Sequence, residues 1–373
     1  MPHADRIVEG AAVARADAPG RVNLIGEHTD YNDGLVLPTA IPQRTTVEIV
    51  PRADGRVALA SDGFSRAGYR LGSERRSGGW ADHVRGVTWA VADAGIALGG
   101  FDARIGSDIP VGAGLGSSAA LEVAVLRALR IAFALDIDDV ALALLAHRAE
   151  VDFVGARVGT MDHLASSLAH DREALLIDTR TLAIDRVALP QTLALIVIDS
   201  GIAHDNATGR YNARREECDR AARALGVAAL RDATEDAVAR LELIEPVLAK
   251  RARHVVTEGA RVRDFVTALR EADLSACGAL MNASHASLRD DFEVSTREID
   301  ELVSLIGTED GVYGARIVGG GFGGSVLALA RPAGALAAAR RAAAEYRART
   351  SRVPRVLLPA PSVAAGPTGA VAR

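Results

Sequence analysis

An α+β fold is the expectation, and three observations carry it. Short β-prone runs at 44–50, 56–60, 101–109, 173–178 and 193–199 are interrupted by helical stretches without strict alternation. No fixed-period repeat runs through the chain, which argues against a solenoid. With 373 residues, 49% of them hydrophobic and 24% charged, the chain is long and apolar enough for two cores.

In chain order, residues 19–31 read Pro-Gly-Arg-Val-Asn-Leu-Ile-Gly-Glu-His-Thr-Asp-Tyr and set Arg21, Glu27, His28 and Asp30 around a short apolar insert. Pinned by Gly20 and Gly26, these polar groups read as hydrogen-bonding arms on an irregular backbone. Asn32-Asp33-Gly34 predicts a tight turn into 35–38, the return arm of a hairpin. The runs at 44–50 and 56–60, separated by a turn at 51–55, extend this into an N-terminal antiparallel sheet. Helical spacing follows over 80–97 and strand spacing over 101–109. A glycine-rich segment then opens a helix running to about residue 135, with further helices over 140–153 and from 161. Buried strands are expected at 173–178 and 193–199, with a loose domain boundary between them. The C-terminal half predicts helices at 208–225, 238–250, 260–271, 274–288, 296–306 and 333–350, and strands at 326–330 and 353–358. The tail after residue 360, rich in Ala, Pro and Gly, is expected to fray.

Bulk properties narrow the function. A net charge of -5 and a pI near 6.0 argue against a nucleic-acid-binding surface and favour a small-molecule substrate. Cys218 and Cys277 have no Cys or His at metal-ligand spacing, so neither a zinc site nor a disulfide framework is implied, and a reducing cytoplasm is the expected home. The N-terminus lacks the basic-then-apolar order of a signal peptide, and no run approaches the ~18 apolar residues of a membrane span, so no membrane partner is expected. Lys250 is the only lysine, which leaves no lysine for a Walker-type phosphate loop. The oligomeric state stays open between a monomer and a weak dimer.

Gly112, Gly114 and Gly116, followed by Ser117 and Ser118 at a helix start, suit phosphate binding. Glycines admit close approach, while free N–H groups and the helix dipole supply positive potential without a lysine. A flexible serine-capped turn is the competing reading. The run Gly319–Gly324 formally contains the dinucleotide fingerprint, but a strand rather than a helix follows it; a glycine loop lying over a ligand or against another loop fits better. Glu150 and Asp162 are two separately placed acids of the kind a kinase needs, one for magnesium and one to orient or deprotonate the attacking hydroxyl; each is also compatible with a solvated helix position. Tyr211, Arg214, Arg215 and Cys218 share a helix face, which domain packing would equally explain.

Taken together, these stretches resemble the galactokinases of the GHMP small-molecule kinase superfamily. Residues 20–31 match the galactokinase signature, 112–119 the superfamily's phosphate loop, and 319–324 its third, glycine-rich motif; 211–218, 253–258 and 280–291 match further galactokinase segments. The resemblance implies a two-domain GHMP kinase fold, with residues 1–185 carrying the sugar and phosphate loops, 186–373 forming the C-terminal domain, and the active site in the cleft between them. It implies ATP-dependent phosphorylation of the anomeric hydroxyl of galactose. Glu27, His28 and Asp30 would bind sugar hydroxyls, and Gly159 and Tyr211 would close the pocket. Arg21 would stabilise the transition state and Asp162 would face the anomeric hydroxyl. Gly112, Ala113, Gly114, Leu115, Gly116, Ser117 and Ser118 would wrap the ATP phosphates, with Ser118 and Glu150 holding Mg2+. The spacing of 12 from Glu150 to Asp162 agrees with the family pattern.

The chain departs from that pattern at several places. Gly116 replaces a usual serine, Ile317-Val318 precede the third motif, His163 replaces the glutamine usual after the aspartate, and Arg157 and Thr160 replace small or apolar neighbours. Changes beside Asp162 would reshape the sugar pocket or its charge. A kinase for a uronic acid, arabinose or an N-acetylhexosamine is therefore one rival reading, with Arg157 or His163 the cation a uronate would want. A catalytically silent sugar sensor is the other, and retention of Arg21, Ser118, Glu150 and Asp162 argues against it.

Overall fold

The computed structural model describes residues 13–202 and 207–358, and its strands gather into two sheets. The eight-stranded sheet runs β2 (Leu35–Val36), β7 (Glu173–Asp178), β3 (Pro38–Arg52), β6 (Gly100–Ser107), β4 (Arg56–Ser61), β5 (Ala67–Arg70). In addition β1 (Ala14–Asn23) pairs with β3, and β8 (Ile184–Ala188) with β7. Its pairings are antiparallel except β4 against β6, where the chain crosses over through helix α1 (Ala81–Asp93). The second sheet, order β10 (Val312–Val318), β11 (Ser325–Ala330), β9 (Ala194–Asp199), β12 (Arg355–Leu358), is antiparallel throughout. The α+β expectation therefore holds.

Helices α2 (Ser117–Ala132), α3 (Asp139–Arg148) and α4 (Met161–Leu168) belong to the first half. The second half adds α5 (Ala207–Leu225), α6 (Glu235–Glu242), α7 (Pro246–Arg270), α8 (Leu274–Asp290), α9 (Arg297–Gly307) and α10 (Ala335–Thr350). Local chemistry sets many of their ends. Asp138 caps α3 by accepting the Ala141 N–H at 2.7 Å, and Thr296 caps α9 by accepting that of Ile299 at 3.3 Å. Along α9 the buried residues are Ile299, Leu302 and Ile306, the helical spacing that lays one apolar stripe on the core.

Of four hydrophobic cores among the described residues, the three largest frame the cavity, and the fourth, around Leu164 and Ile177, brings Met161 to its wall. One packs α1 and α2 on the first sheet through Val84, Val87, Phe101, Val123 and Leu126. Another packs the second sheet on the C-terminal helices through Ile196, Val255, Leu302 and Tyr346. The third joins the halves, with Val22, Leu24 and Leu115 meeting Phe265, Met281 and Leu327. Shared burial of this kind holds the two halves in a fixed relation. We propose two lobes meeting near 185/186; since that division falls within β8, the seam is best drawn just after this strand.

Several expectations need correction. Residues 19–23 are not an irregular loop but the end of β1, with a shift of register between Pro19 and Arg21. Residues 35–36 pair with β7, although Leu37 still exchanges backbone bonds with Leu24 and Ile25. The helices expected at 238–250 and 260–271 break elsewhere: α6 stops at Glu242, and α7 runs unbroken from Pro246, whose missing N–H costs nothing in the first turn. The strands β5, β8 and β10 have no counterpart among the expected elements. The tail after residue 360 lies outside the described residues.

Candidate active site

A cavity of about 360 Å³ opens between the end of β1, the start of α2, the segment before α4, the second turn of α5 and the loop between β10 and β11. Its lining includes Arg21, Glu27, His28, Asp30, Gly112, Gly114, Leu115, Gly116, Ser117, Ser118, Glu150, Gly159, Asp162 and Tyr211. Of the site residues expected from sequence, Ala113 alone is outside that lining. It is buried beneath the loop, and its carbonyl accepts the Ser325 hydroxyl at 2.8 Å.

Arg21 and Asp162 form the centre. The guanidinium donates from Nε to Asp162 Oδ1 at 2.7 Å and from a terminal nitrogen to Oδ2, a two-pronged pair, and its other nitrogen donates to the Gly114 carbonyl at 2.6 Å. Arg21 is nearly buried, with a side chain 7% exposed, whereas that of Asp162 is 25% exposed. The Arg21 N–H also donates to the Leu115 carbonyl at 2.9 Å, tying the strand to the glycine loop. At Gly20, in the register shift, a Cβ would lie 2.9 Å from that same carbonyl oxygen, so the approach requires glycine.

On one side of this pair lie the polar arms of 27–31. Glu27 Oε2 accepts from Asn23 at 3.1 Å, while its Oε1 accepts from the Gly319 N–H at 2.8 Å and from Arg316 at 3.2 Å. Fully buried Arg316 also donates to the carbonyls of Asn23 and Leu24, at 2.6 and 3.0 Å. His28, left-handed at φ 63°, meets the Tyr31 hydroxyl through Nδ1 at 2.9 Å and packs on the Phe292 and Tyr211 rings. Among the described residues its Nε2 is buried without a partner, and burial pushes its pKa well below the usual histidine range. Burial, followed by the nearby carboxylates of Asp162 and Glu27, lifts Asp30 to about 7. A Cβ on Gly159 would overlap the Asp30 carboxylate, so only glycine fits there.

On the other side is the glycine loop. Gly112, Gly114 and Gly116 all have positive φ, and Gly116, at 72°, immediately precedes α2. Ser117 and Ser118 occupy its first two positions, where backbone N–H groups lack helical partners. The third glycine motif packs against this loop, as expected: a Cβ on Gly319 would lie 2.8 Å from the Gly114 carbonyl oxygen. Glu150 reaches the cavity from Ala149–Val154, a π-helical turn that continues α3 and ends at left-handed Gly155. Hydroxyl and carboxylate oxygens from Ser118 and Glu150 are the hard donors that suit Mg2+, and they line the cavity beside the loop.

His163 and Arg157 do not add charge to the sugar side. His163 is fully buried and absent from the lining; its Nε2 faces Glu122 and Glu150. Burial opposes its charged form, but these two partners more than offset that and push it up to about 10. Arg157 lines the cavity yet pairs with Glu216 and Asp219 of α5, while Arg215 donates to its carbonyl. Sequence reasoning missed Asn23, His83, Glu122 and Arg316. The only signals were a lone glutamate in an apolar helix and a lone arginine in an apolar strand.

This fold and this site define a GHMP small-molecule kinase. The profile described as "Galactokinase galactose-binding signature" matches residues 8–51, and the GHMP kinase N-terminal and C-terminal profiles match 82–170 and 265–348. The chain is 48% identical over 321 residues to a galactokinase from Roseiflexus sp. (strain RS-1), covering 84% of this chain and 82% of that one. It is 45% identical over 319 residues to a galactokinase from Mycobacterium tuberculosis (strain ATCC 25618 / H37Rv), covering 84% and 87%. Among solved structures, Lactococcus lactis galactokinase complexed with galactose superposes with a TM-score of 0.89 at 31% identity, over 92% of each chain. The mevalonate kinase of L. major shares the fold, with a TM-score of 0.64 at 21% identity over 92% of this chain and 94% of that one. The chain belongs to the galactokinase family.

Proposed function

We propose that the protein transfers the γ-phosphoryl group of ATP to the anomeric hydroxyl of galactose, giving galactose 1-phosphate and ADP. The observation that carries this reading is the Arg21–Asp162 pair, standing between a sugar-sized polar pocket and a glycine loop at a helix N-terminus. Asp30, His28 and Glu27 take the sugar hydroxyls, with Gly159 leaving room for Asp30 and Tyr211 forming a wall. Asp162 receives the anomeric hydroxyl. Fixed by two hydrogen bonds to Arg21, it aims that oxygen along the line of transfer. Arg21 faces the charge that spreads over the transferring group, where a pre-placed guanidinium needs little reorganisation. Gly112 to Ser118 wrap the phosphates through backbone N–H groups. Ser118 and Glu150 would hold Mg2+, which when bound neutralises phosphate charge.

The pairing of Arg157 with Glu216 and Asp219, and the burial of His163 away from the cavity, favour a neutral hexose over a uronate. Among the described residues no helix is long and apolar enough to cross a membrane. The buried free thiols of Cys218 and Cys277 fit a reducing cytoplasm. ADP release over a panel of galactose, arabinose, galacturonate and N-acetylgalactosamine tests the reading, with NMR locating the new phosphate. Galactose as the preferred substrate, phosphorylated at C1, is the expected result. Preference for another sugar, or ADP release from none, would refute it.

A further inference from the structure

Four ionisable side chains from four elements meet behind the phosphate end of the cavity: His83 on α1, Glu122 on α2, Glu150 on the π turn and His163 on α4. His163 Nε2 lies 2.9 Å from Glu122 Oε2 and 3.1 Å from Glu150 Oε2. The second Glu122 oxygen meets His83 Nδ1 at 2.8 Å. Glu122 and Ser118 are four residues apart on α2, so they share a helix face.

We propose that His163 is a positioning residue for the metal end of the reaction. Its ring N–H, shared between Glu122 and Glu150, fixes the Glu150 carboxylate where that group and Ser118 receive Mg2+. The inference rests on the assignment of Glu150 made above. A glutamate carries three rotatable side-chain bonds, and one placed on a π turn is not aimed by regular helix geometry. Anchoring one of its oxygens to a fully buried ring removes that freedom. The ring is in turn held by Glu122, and Glu122 by His83, so the support reaches α1. Such outer partners orient a metal ligand and set its affinity even though they never touch the ion. His163 also follows Asp162 directly, so one turn of α4 carries both the group aimed at the sugar and the group that holds the metal ligand.

The donor geometry predicts which replacements survive. Glutamine presents two N–H groups and can give one to each carboxylate, whereas alanine gives none. Calorimetric titration of the full-length protein with a non-hydrolysable ATP analogue, with and without Mg2+, reads the effect without turnover. In H163A the gain in affinity on adding Mg2+ should shrink by about tenfold, with galactose affinity and metal-free analogue affinity held within about twofold, and H163Q should restore most of the gain. If H163A does not fold, H163N, an amide too short to span both carboxylates, carries the same expectation. An unchanged Mg2+ effect would overturn the proposal, as would a uniform loss for all ligands with a lowered Tm, the mark of a purely structural role. One equivalent of tightly bound transition metal in the wild-type protein, lost in H163A, would also overturn it, because the cluster would then be a metal centre. A wild type that phosphorylates galactose while H163A keeps its Mg2+ effect refutes this inference alone; a wild type that phosphorylates no sugar refutes the function itself.

Discussion

The two ends of the cavity are built differently. At the sugar end, side chains are pre-placed: His28 packs between rings, Glu27 is held by Asn23, Arg316 and Gly319, and Asp30 fills the space left by Gly159. At the proposed phosphate end, backbone N–H groups at the start of α2 would bind the phosphates, with the Ser118 and Glu150 side chains left for the metal, and the loop opens to solvent at Val111, 76% exposed. On the proposed function, side chains would read the pattern of sugar hydroxyls, while backbone N–H groups at a helix start would accept any polyphosphate of the right shape. Arg21 belongs to both ends, since it grips Asp162 and the Gly114 carbonyl together.

The largest effect is expected where the ends meet. Asp162→Asn keeps the shape but breaks the charged fork, and kcat should fall by about 10³-fold or more with Mg·ATP affinity nearly unchanged. Near-normal turnover in a steady-state assay would remove Asp162 from the transfer step. Arg21→Ala should lower kcat by about 10²–10³-fold with a smaller change in galactose KM. The reverse split would show that Arg21 serves the sugar end.

Next comes Asp30. Its carboxyl titrates at about 7 because it is buried beside two other carboxylates, and the ionised form is the better acceptor for sugar hydroxyls. A raised carboxyl pKa means that lowering the pH through 7 protonates the group in the sugar-free protein. Galactose affinity should therefore fall as pH drops below about 7, approaching tenfold per pH unit, and Asp30→Asn should flatten the profile at a weak value. Calorimetry between pH 5 and about 8.5 reads this directly, and a profile unchanged by Asp30→Asn would assign the titration elsewhere. The same shift has a stability consequence: the folded state holds a proton that the unfolded chain releases, so Asp30's own contribution to the stability of the sugar-free protein should be lost as pH rises from about 4 to about 7. The smallest effect belongs to Arg157→Gln, whose half-exposed ion pairs with α5 should cost about 1 kcal/mol or less in a thermal melt and leave sugar preference unchanged. A switch in sugar preference would place Arg157 in the recognition set.

How much of this was legible in the sequence follows from the range of each interaction. The glycine loop, the serine helix start and the acids of 27–30 are local patterns, and each lines the cavity. Arg21 was legible as a residue but not as part of a strand, because 19–23 takes its extended shape from pairing with β3, a distant partner. The π turn at Glu150 leaves no mark in an apolar spacing that reads as ordinary helix. Pro246 did mark a helix start, yet the apolar spacing on either side of 243–245 obscured it. The contacts of His163 and Arg316 join residues 41 and about 290 positions apart, and no window of sequence contains such pairs.

On the proposed function, side chains build the sugar end and backbone N–H groups bind the phosphates. Titrating galactose and an ATP analogue into two variants tests it. Asp30→Ala removes a sugar arm, whereas Gly116→Ala strains a residue at φ 72° and sets a Cβ 3.2 Å from the Arg21 side chain. Asp30→Ala should weaken galactose by about 30-fold or more and the analogue by less than about twofold, with Gly116→Ala showing the opposite order. Equal losses of both ligands in both variants would contradict it.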